Sequence, residues 1–375
     1  MNNYKILHVF GKMDRGGAEL RTLELMKHID RNKYQFDFLA LSGERGALDE
    51  EIIKLGGTIY YCDLKSPLFP FRLYRILKSG KYNVVHSHVH VFSGFILGIA
   101  RLAKIKTRIT HFRSTGDGKK ETFQRKIYRE VMSYLVNKNS THVLAVSKSA
   151  LNANIRKYRK DKERFKVIYN GLDLSKFQKK PTNSLRKDFG LPEEVKIFIH
   201  VGRMDPAKNH DKLISVFSEV VKQDRNVALF MVGKINKLIY DELKIKIKKW
   251  GIEKQVFFLG ARNDVADLLL QADCMIFPSI REGLPGAVLE ACAAGIPVLG
   301  SDIPSIREVA EYFPFVRLLD LNIEDKIWAL ESLNLLKIAQ EYNYKKKSID
   351  IFSQSPFMLK NNILAYTTIL EERRL

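Results

Sequence analysis

Short apolar runs alternate with amphipathic helical stretches along the whole chain, and the alternation begins afresh near residue 195. Tyr4–Phe10 reads as a strand and Ala18–Ile29 as a helix; Phe36–Leu41, Thr58–Tyr61 and Asn83–His86 supply further strands. The second half repeats the rhythm, with strands at Lys196–Val201, Ala228–Val232 and Val256–Leu259 separated by helices at Asp211–Val221 and Leu238–Trp250. A strand–helix–strand order makes neighbouring strands parallel, and parallel sheets are covered by helices on both faces. The charged, proline-containing stretch Gln178–Glu194 separates the two runs and reads as a linker. The expected domains are therefore residues 1–180 and 190–350, each long enough to bury its own core. A terminal amphipathic segment, 354–375, offers Phe357, Leu359, Ile363 and Tyr366 as anchors.

Charge divides the halves more sharply than hydrophobicity does. Of the 63 Lys+Arg and 42 Asp+Glu, 36 and 16 lie in residues 1–180, so the first half carries +20 of the net +21. An anionic partner follows: a membrane surface, a lipid pyrophosphate or nucleic acid; a merely soluble basic surface is the plainer reading. The cysteines, Cys62, Cys274 and Cys292, are too far apart to suggest a zinc cluster or a disulfide framework, which points to a reducing cytosol. The first ten residues read as a strand, not a signal peptide, and no apolar run approaches the ~18 residues that span a bilayer. Phe92–Ala100 reads as a buried helix. Phe123, Ile127, Val131 and Leu135 recur every four residues, which predicts a helix with this stripe in the core; Arg125, Lys126 and Arg129 lie off it.

The densest chemistry lies in residues 281–295. An apolar strand, Cys274–Pro278, runs into a loop holding Glu282, Gly283, Leu284, Pro285 and Gly286; a helix follows, closed by Gly295. Free N–H groups and the dipole at such a helix start attract anions. Glu290, inside the helix, lies about 7–8 Å beyond its start at 1.5 Å per residue, roughly the span from a diphosphate to the ribose of one nucleotide. Arg203 and Lys208 follow the strand Ile197–Val201 and the glycine Gly202, and a fork-shaped guanidinium and a point ammonium both suit phosphate oxygens. Gly16 and Gly17 follow the first strand, where the lack of side chains lets backbone approach a ligand.

These segments, with Glu282-x7-Glu290, Val146-Ser147-Lys148-Ser149 and Asn170-Gly171-Leu172-Asp173, occur in the order found in glycosyltransferase family 4, and nearly the whole chain resembles that family. The resemblance is to the bacterial exopolysaccharide and capsule branch, through Val85-His86-Ser87-His88 and Arg108-Ile109-Thr110-His111. It implies an α/β GT-B fold: two Rossmann-like domains facing across a deep cleft, an acceptor-side first domain, a nucleotide-sugar-binding second one, and a last helix crossing back to the first. It implies transfer of a hexosyl group from a UDP-sugar, with retention of configuration, to a saccharide acceptor on a lipid carrier, in the cytoplasm at the inner face of the membrane.

The family pattern assigns Arg203 and Lys208 to the leaving diphosphate, the largest catalytic contribution expected. Glu282 is expected at the donor sugar, Glu290 at the ribose, and the main chain of Gly283–Gly286 at sugar and phosphate. Arg262 borders the base. A histidine after a first-domain strand is expected at the donor sugar, with His111 preferred and His88 second. His86, His88 and His90 alternate, but no carboxylate cluster accompanies them, which argues against a metal. No Asp-x-Asp pair occurs, and two cations are available to neutralise the diphosphate, so neither metal nor other cofactor is expected. A nucleotide-sugar epimerase of the same architecture is one rival. A nucleic-acid-binding protein is another, but Tyr128, Tyr134, Tyr158 and Phe165 do not interleave with the basic residues as single-strand binding requires.

Overall fold

A computed structural model describes residues 4–116, 122–155, 162–182 and 184–372. The chain forms two compact units, Met1–Gly171 with Leu359–Leu375, and Leu172–Met358. In the first unit the strands are β1 (Tyr4–Phe10), β2 (Tyr34–Ala40), β3 (Ile59–Tyr61), β4 (Val84–Ser87), β5 (Thr107–Phe112), β6 (His142–Ala145) and β7 (Phe165–Val167). They pair in parallel in the order β3-β2-β1-β4-β5-β6-β7. One face is filled by Ile6, Phe36, Phe38, Leu144 and Tyr366, the other by Leu7, Leu39, Val85, Leu97 and Leu73. Alternation along β1 sorts Ile6 from Leu7 between the two cores, as the two-residue repeat of a strand demands.

The second unit holds β8 (Lys196–Val201), β9 (Val227–Val232), β10 (Val256–Gly260), β11 (Cys274–Phe277), β12 (Val298–Ser301) and β13 (Val316–Leu319). These are parallel in the order β10-β9-β8-β11-β12-β13. Strand order reverses between β1 and β4 in one sheet and between β8 and β11 in the other. At such switch points the flanking crossovers leave on opposite faces, so the carboxyl ends open into a crevice.

The boundary falls at 171/172, earlier than the linker expected from composition. The Leu172 amide donates to the Phe357 carbonyl (2.9 Å), and Leu172 bridges Met358 in parallel. Leu174 and Phe177 are buried. The Gln178–Glu194 stretch is itself tied to the second unit: Thr182 Oγ1 donates to Asp267 (2.7 Å) and the Leu185 amide to Gln271 Oε1 (2.8 Å). The second crossing lies at 358/359, so the expected anchors split. Phe357 packs edge-on to Tyr312, at 5.3 Å between centroids, in the second unit. Tyr366 is buried in the first, on the helix Leu359–Glu371.

The helix Phe123–Asn139 corrects the expected core stripe. Phe123 is 79% exposed, and Ile127 and Val131 are about half exposed. The helix instead buries Val136 and Asn139 against the helix Ser93–Leu102. Gly94 explains the rotation, because a Cβ there would lie 2.5 Å from the Val136 amide nitrogen and 2.7 Å from the Met132 carbonyl oxygen. The two backbones touch at that point, and Asn139 Nδ2 donates to the Gly94 carbonyl (3.1 Å). A four-residue apolar period could not register this, since the contact is made by main chain.

Candidate active site

In the second unit, the continuous apolar run of β8 is buried and delivers the chain to Gly202 at the switch point. The loop is fixed by main-chain bonds: Gly202 N to Val232 O (2.8 Å), Met204 N to Lys234 O (2.9 Å) and Gly233 N to Gly260 O (2.8 Å). Gly233 has φ 150, and a Cβ on it would sit 2.1 Å from the Gly202 carbonyl oxygen, so glycine is required for the two loops to lie together. Asp205 accepts from the Ala207 amide (2.9 Å) and starts a single 3-10 turn, Pro206–Lys208; Asn209, at φ 54, then redirects the chain into the helix His210–Gln223.

From β11 a second loop enters the helix Gly286–Ala294, and the Ile280 amide donates to the Ala207 carbonyl (2.8 Å), joining the two loops. Their side chains meet at one point: Lys208 Nζ donates to Glu282 Oε1 at 2.6 Å. The Lys208 and Glu282 side chains are 19% and 12% exposed. The Lys208 ammonium also lies 4.8 Å from the centre of the Phe277 ring. Gly283, Leu284 and Pro285 are buried, and Glu290 is half-buried between buried neighbours. Glu290 is four residues past the helix start, about 6 Å along the axis.

Arg203 is placed differently. Its side chain is 68% exposed, and its ion pair is with Asp205 (3.6 Å). Arg262 is clasped by both oxygens of Asp264, at 2.8 and 2.5 Å.

Two histidines that the sequence did not single out lie beneath this site. His200 on β8 donates from Nδ1 to the Ile276 carbonyl (2.9 Å) and packs edge-on to His210, 4.9 Å between centroids. Burial, reinforced by His210, pushes His200 well below the usual imidazole range. Burial, then the Lys208 charge, lowers His210 to about 4. Both rings are therefore neutral at physiological pH.

In the first unit, Gly16 caps the helix Gly17–His28, and Glu19 folds back over it: a Cβ on Gly16 would lie 2.2 Å from Glu19 Oε2. Gly17 has open space where a side chain would be. His111 is buried near the end of β5, and the structure sets it in a larger cluster. His86 Nε2 and His111 Nδ1 are 3.1 Å apart, His86 Nδ1 and Tyr366 Oη 3.0 Å, and His8 Nδ1 and His88 Nε2 3.1 Å. Arg113 donates to His88 Nδ1 (3.2 Å), Asn170 Oδ1 (2.8 Å) and Thr22 Oγ1 (3.3 Å). It thereby joins the start of the first helix to the ends of β4 and β5. Burial lowers the Arg113 guanidinium to about 10, against the opposing charge of Glu19. His8 falls to about 3 through burial and then Arg113; His86, His88 and His111 are also held well below the usual range by burial. The signal for this cluster was the parallel register, which sets His8 beside His86, and it could be read only once the strand order was known.

Two parallel doubly wound units, each with loops at its switch point, define an α/β protein of the GT-B class. Residues 15–176 match the model of Glycosyltransferase Family 4, and residues 181–313 that of Glycosyl transferases group 1. The capsular polysaccharide biosynthesis glycosyltransferase CapH of Staphylococcus aureus is 32% identical over 366 residues, 97% of this chain and 99% of that protein. The chain belongs to glycosyltransferase family 4. The UDP-Gal:alpha-D-GlcNAc-diphosphoundecaprenol alpha-1,3-galactosyltransferase of Escherichia coli is 28% identical over 311 residues, 76% of this chain and 77% of that one. The Anabaena HepE structure in complex with UDP and glucose matches in fold, with a TM-score of 0.81 at 20% identity, over 98% of this chain and 99% of that chain.

Proposed function

We propose that this protein transfers a hexosyl group from a UDP-sugar, with retention of configuration, to a saccharide on a lipid carrier during the assembly of a surface polysaccharide. The observation that carries this reading is the Lys208–Glu282 pair, seated where β8 and β11 diverge and beside the helix starting at Gly286. As the glycosidic bond breaks, charge grows on the β-phosphate. Lys208 and the dipole of that helix are fixed donors for it, and Arg203, on the same loop, reaches the phosphate from solvent. Fixed donors in a partly buried site lose little free energy to reorganisation as the charge develops. Glu282 positions the ammonium and meets the sugar; Gly202 and Gly283–Gly286 present main chain; Glu290 holds the ribose. We also assign His111 to the sugar and Gly16 and Gly17 to the sugar or diphosphate. The leaving phosphate takes the acceptor proton in a front-face attack, so no carboxylate nucleophile is assigned. Glu282 suits that scheme, since its carboxylate is already engaged by Lys208.

The relatives support the donor and acceptor classes: the E. coli galactosyltransferase is named for UDP-Gal and a diphosphoundecaprenol acceptor, and HepE was crystallised with UDP and glucose. Catalysis is assigned to protein cations without a metal. The assay is slow UDP release from a panel of UDP-sugars, without acceptor and with EDTA present. Release from at least one UDP-sugar is expected; release that requires added Mg²⁺ or Mn²⁺ contradicts the metal-free assignment, and none from any sugar nucleotide contradicts the activity.

We place the enzyme at the inner face of the membrane. Among the described residues no helix is long and apolar enough to cross a bilayer. The helix Phe123–Asn139 leaves Phe123, Ile127, Val131 and Tyr134 exposed in the strongly basic half of the chain. Apolar side chains entering the headgroup layer and basic ones attracted to anionic lipid act together at such a surface. Phe123→Ser/Ile127→Ser is expected to lower binding to phosphatidylglycerol vesicles by at least tenfold, since tenfold is about 1.4 kcal/mol and burial supplies roughly 0.8 kcal/mol per CH₂. Flotation with unaltered binding removes the helix from this role.

A further inference from the structure

Hydrogen-bond bookkeeping fixes which way the histidine relay of the first unit points. A neutral Tyr366–His86–His111 chain has two polarities. In one, Tyr366 O–H donates to His86 Nδ1, His86 Nε2–H donates to His111 Nδ1, and His111 carries its proton on Nε2. In the other, His111 Nδ1–H donates to His86 Nε2, and His86 Nδ1–H donates to the phenol oxygen. The second polarity strands two groups, the phenol hydrogen and the His111 Nε2 lone pair. The first strands only one, the His111 Nε2–H, which is buried and has no partner among the described residues. Each stranded buried group costs on the order of 1–3 kcal/mol, so the first polarity prevails.

The neighbouring pair serves as a control. Arg113 has only donors, so His88 Nδ1 accepts, His88 Nε2–H donates to His8 Nδ1, and His8 is left with an Nε2–H. That ring packs between Phe36 (4.5 Å) and Phe38 (5.4 Å), within the core. His111 stands instead near the carboxyl end of β5, on the side of the sheet where the β1–β4 crevice opens. The three rings His8, His86 and His88 bring nitrogens within 4.8 Å of one another, as a metal would need. The Arg113 bond into His88 and the His88 bond into His8 consume two of those lone pairs, and a cation already adjoins the group.

We propose that Tyr366 is a positioning residue: through His86 it commits His111 Nε2 to donating a hydrogen bond to an oxygen of the bound sugar. The C-terminal helix thus sets the donor sense of a residue in the sugar site, without touching the ligand. The inference rests on the reading of His111 as a sugar contact, but its first test does not.

Two-bond proton–nitrogen correlation spectra of the ¹⁵N-histidine-labelled protein report each ring's tautomer, with His111→Gln and His86→Gln assigning the signals. The wild type is expected to show both rings protonated at Nε2. In Tyr366→Phe the two polarities each leave one donor and one acceptor unpaired, so His111 is expected to become a mixture. With equal tautomers, the affinity for the UDP-sugar identified by the panel falls about twofold, while that for UDP alone stays unchanged. An Nδ1-protonated His111 in the wild type, or an unchanged tautomer in Tyr366→Phe, overturns the relay. Equal loss for UDP and UDP-sugar overturns the sugar contact. Failure of every UDP-sugar to bind the wild type overturns the proposed function, and the spectra still decide the relay.

Discussion

Lys208→Ala is expected to lower UDP release by roughly 10²–10³-fold, the loss typical when one preorganised donor to a developing anion is removed. The ammonium is held between the Glu282 carboxylate (2.6 Å) and the Phe277 ring (4.8 Å), so it is already in place and need not be recruited. Removing it also takes the Lys208 ion pair from the mostly buried Glu282 carboxylate, and some stability is expected to go with it. Two variants separate these effects. Lys208→Ala/Glu282→Gln removes the carboxylate charge as well and should recover most of the thermal stability but none of the turnover. Arg203→Ala, at an exposed side chain, should leave stability unaltered and reduce turnover less than Lys208→Ala. Near-normal UDP release by folded Lys208→Ala would remove the residue from the leaving-group role.

The second large effect is on stability in acid. His8 is held at about 3 and His210 at about 4, and His86, His88, His111 and His200 are also lowered, with burial the leading cause throughout. In the unfolded chain each would titrate near 6.5. The native state therefore binds fewer protons than the unfolded state between those values. The stabilisation is fully present above about pH 6.5 and is lost progressively as pH falls towards the native values. Each such group contributes a slope of up to about 1.4 kcal/mol per pH unit inside the window. Urea unfolding between pH 7 and pH 5.5, above the range where most carboxylates titrate, should reveal uptake of roughly three or more protons on unfolding. A flat profile there would mean that the rings are hydrated or charged in the native protein.

Much of this architecture was legible because parallel sheets write themselves as apolar runs. β8 was bounded to the residue, since all of Ile197–Ile199 must be apolar to be buried on both faces. The loop at 281–286 was legible for a similar reason: a glycine–proline turn between a strand and a helix has few other uses. What sequence could not supply was whatever depends on a distant partner. The unit boundary at 171/172 is set by Leu172 bonding Phe357, far along the chain. The exposure of Phe123 is decided by the bare backbone of Gly94. The proximity of Lys208 and Glu282 follows from β8 lying beside β11, although each residue was a candidate by itself. Arg203 shows the converse: the family pattern marks it as a phosphate ligand, and the fold sends its side chain to solvent.

The helix Leu359–Glu371 fills the core of the unit whose other residues end at Gly171. During synthesis that unit emerges from the ribosome first yet lacks Tyr366, Ile369 and Leu370 until the whole second unit has been made. The second unit, by contrast, is contiguous and has all its own residues at hand as soon as it clears the exit tunnel. The later-made half is thus free to fold first, leaving the earlier one for chaperones to shield, and nonsense mutations ahead of residue 359 are expected to leave its hydrophobic groove open to proteolysis.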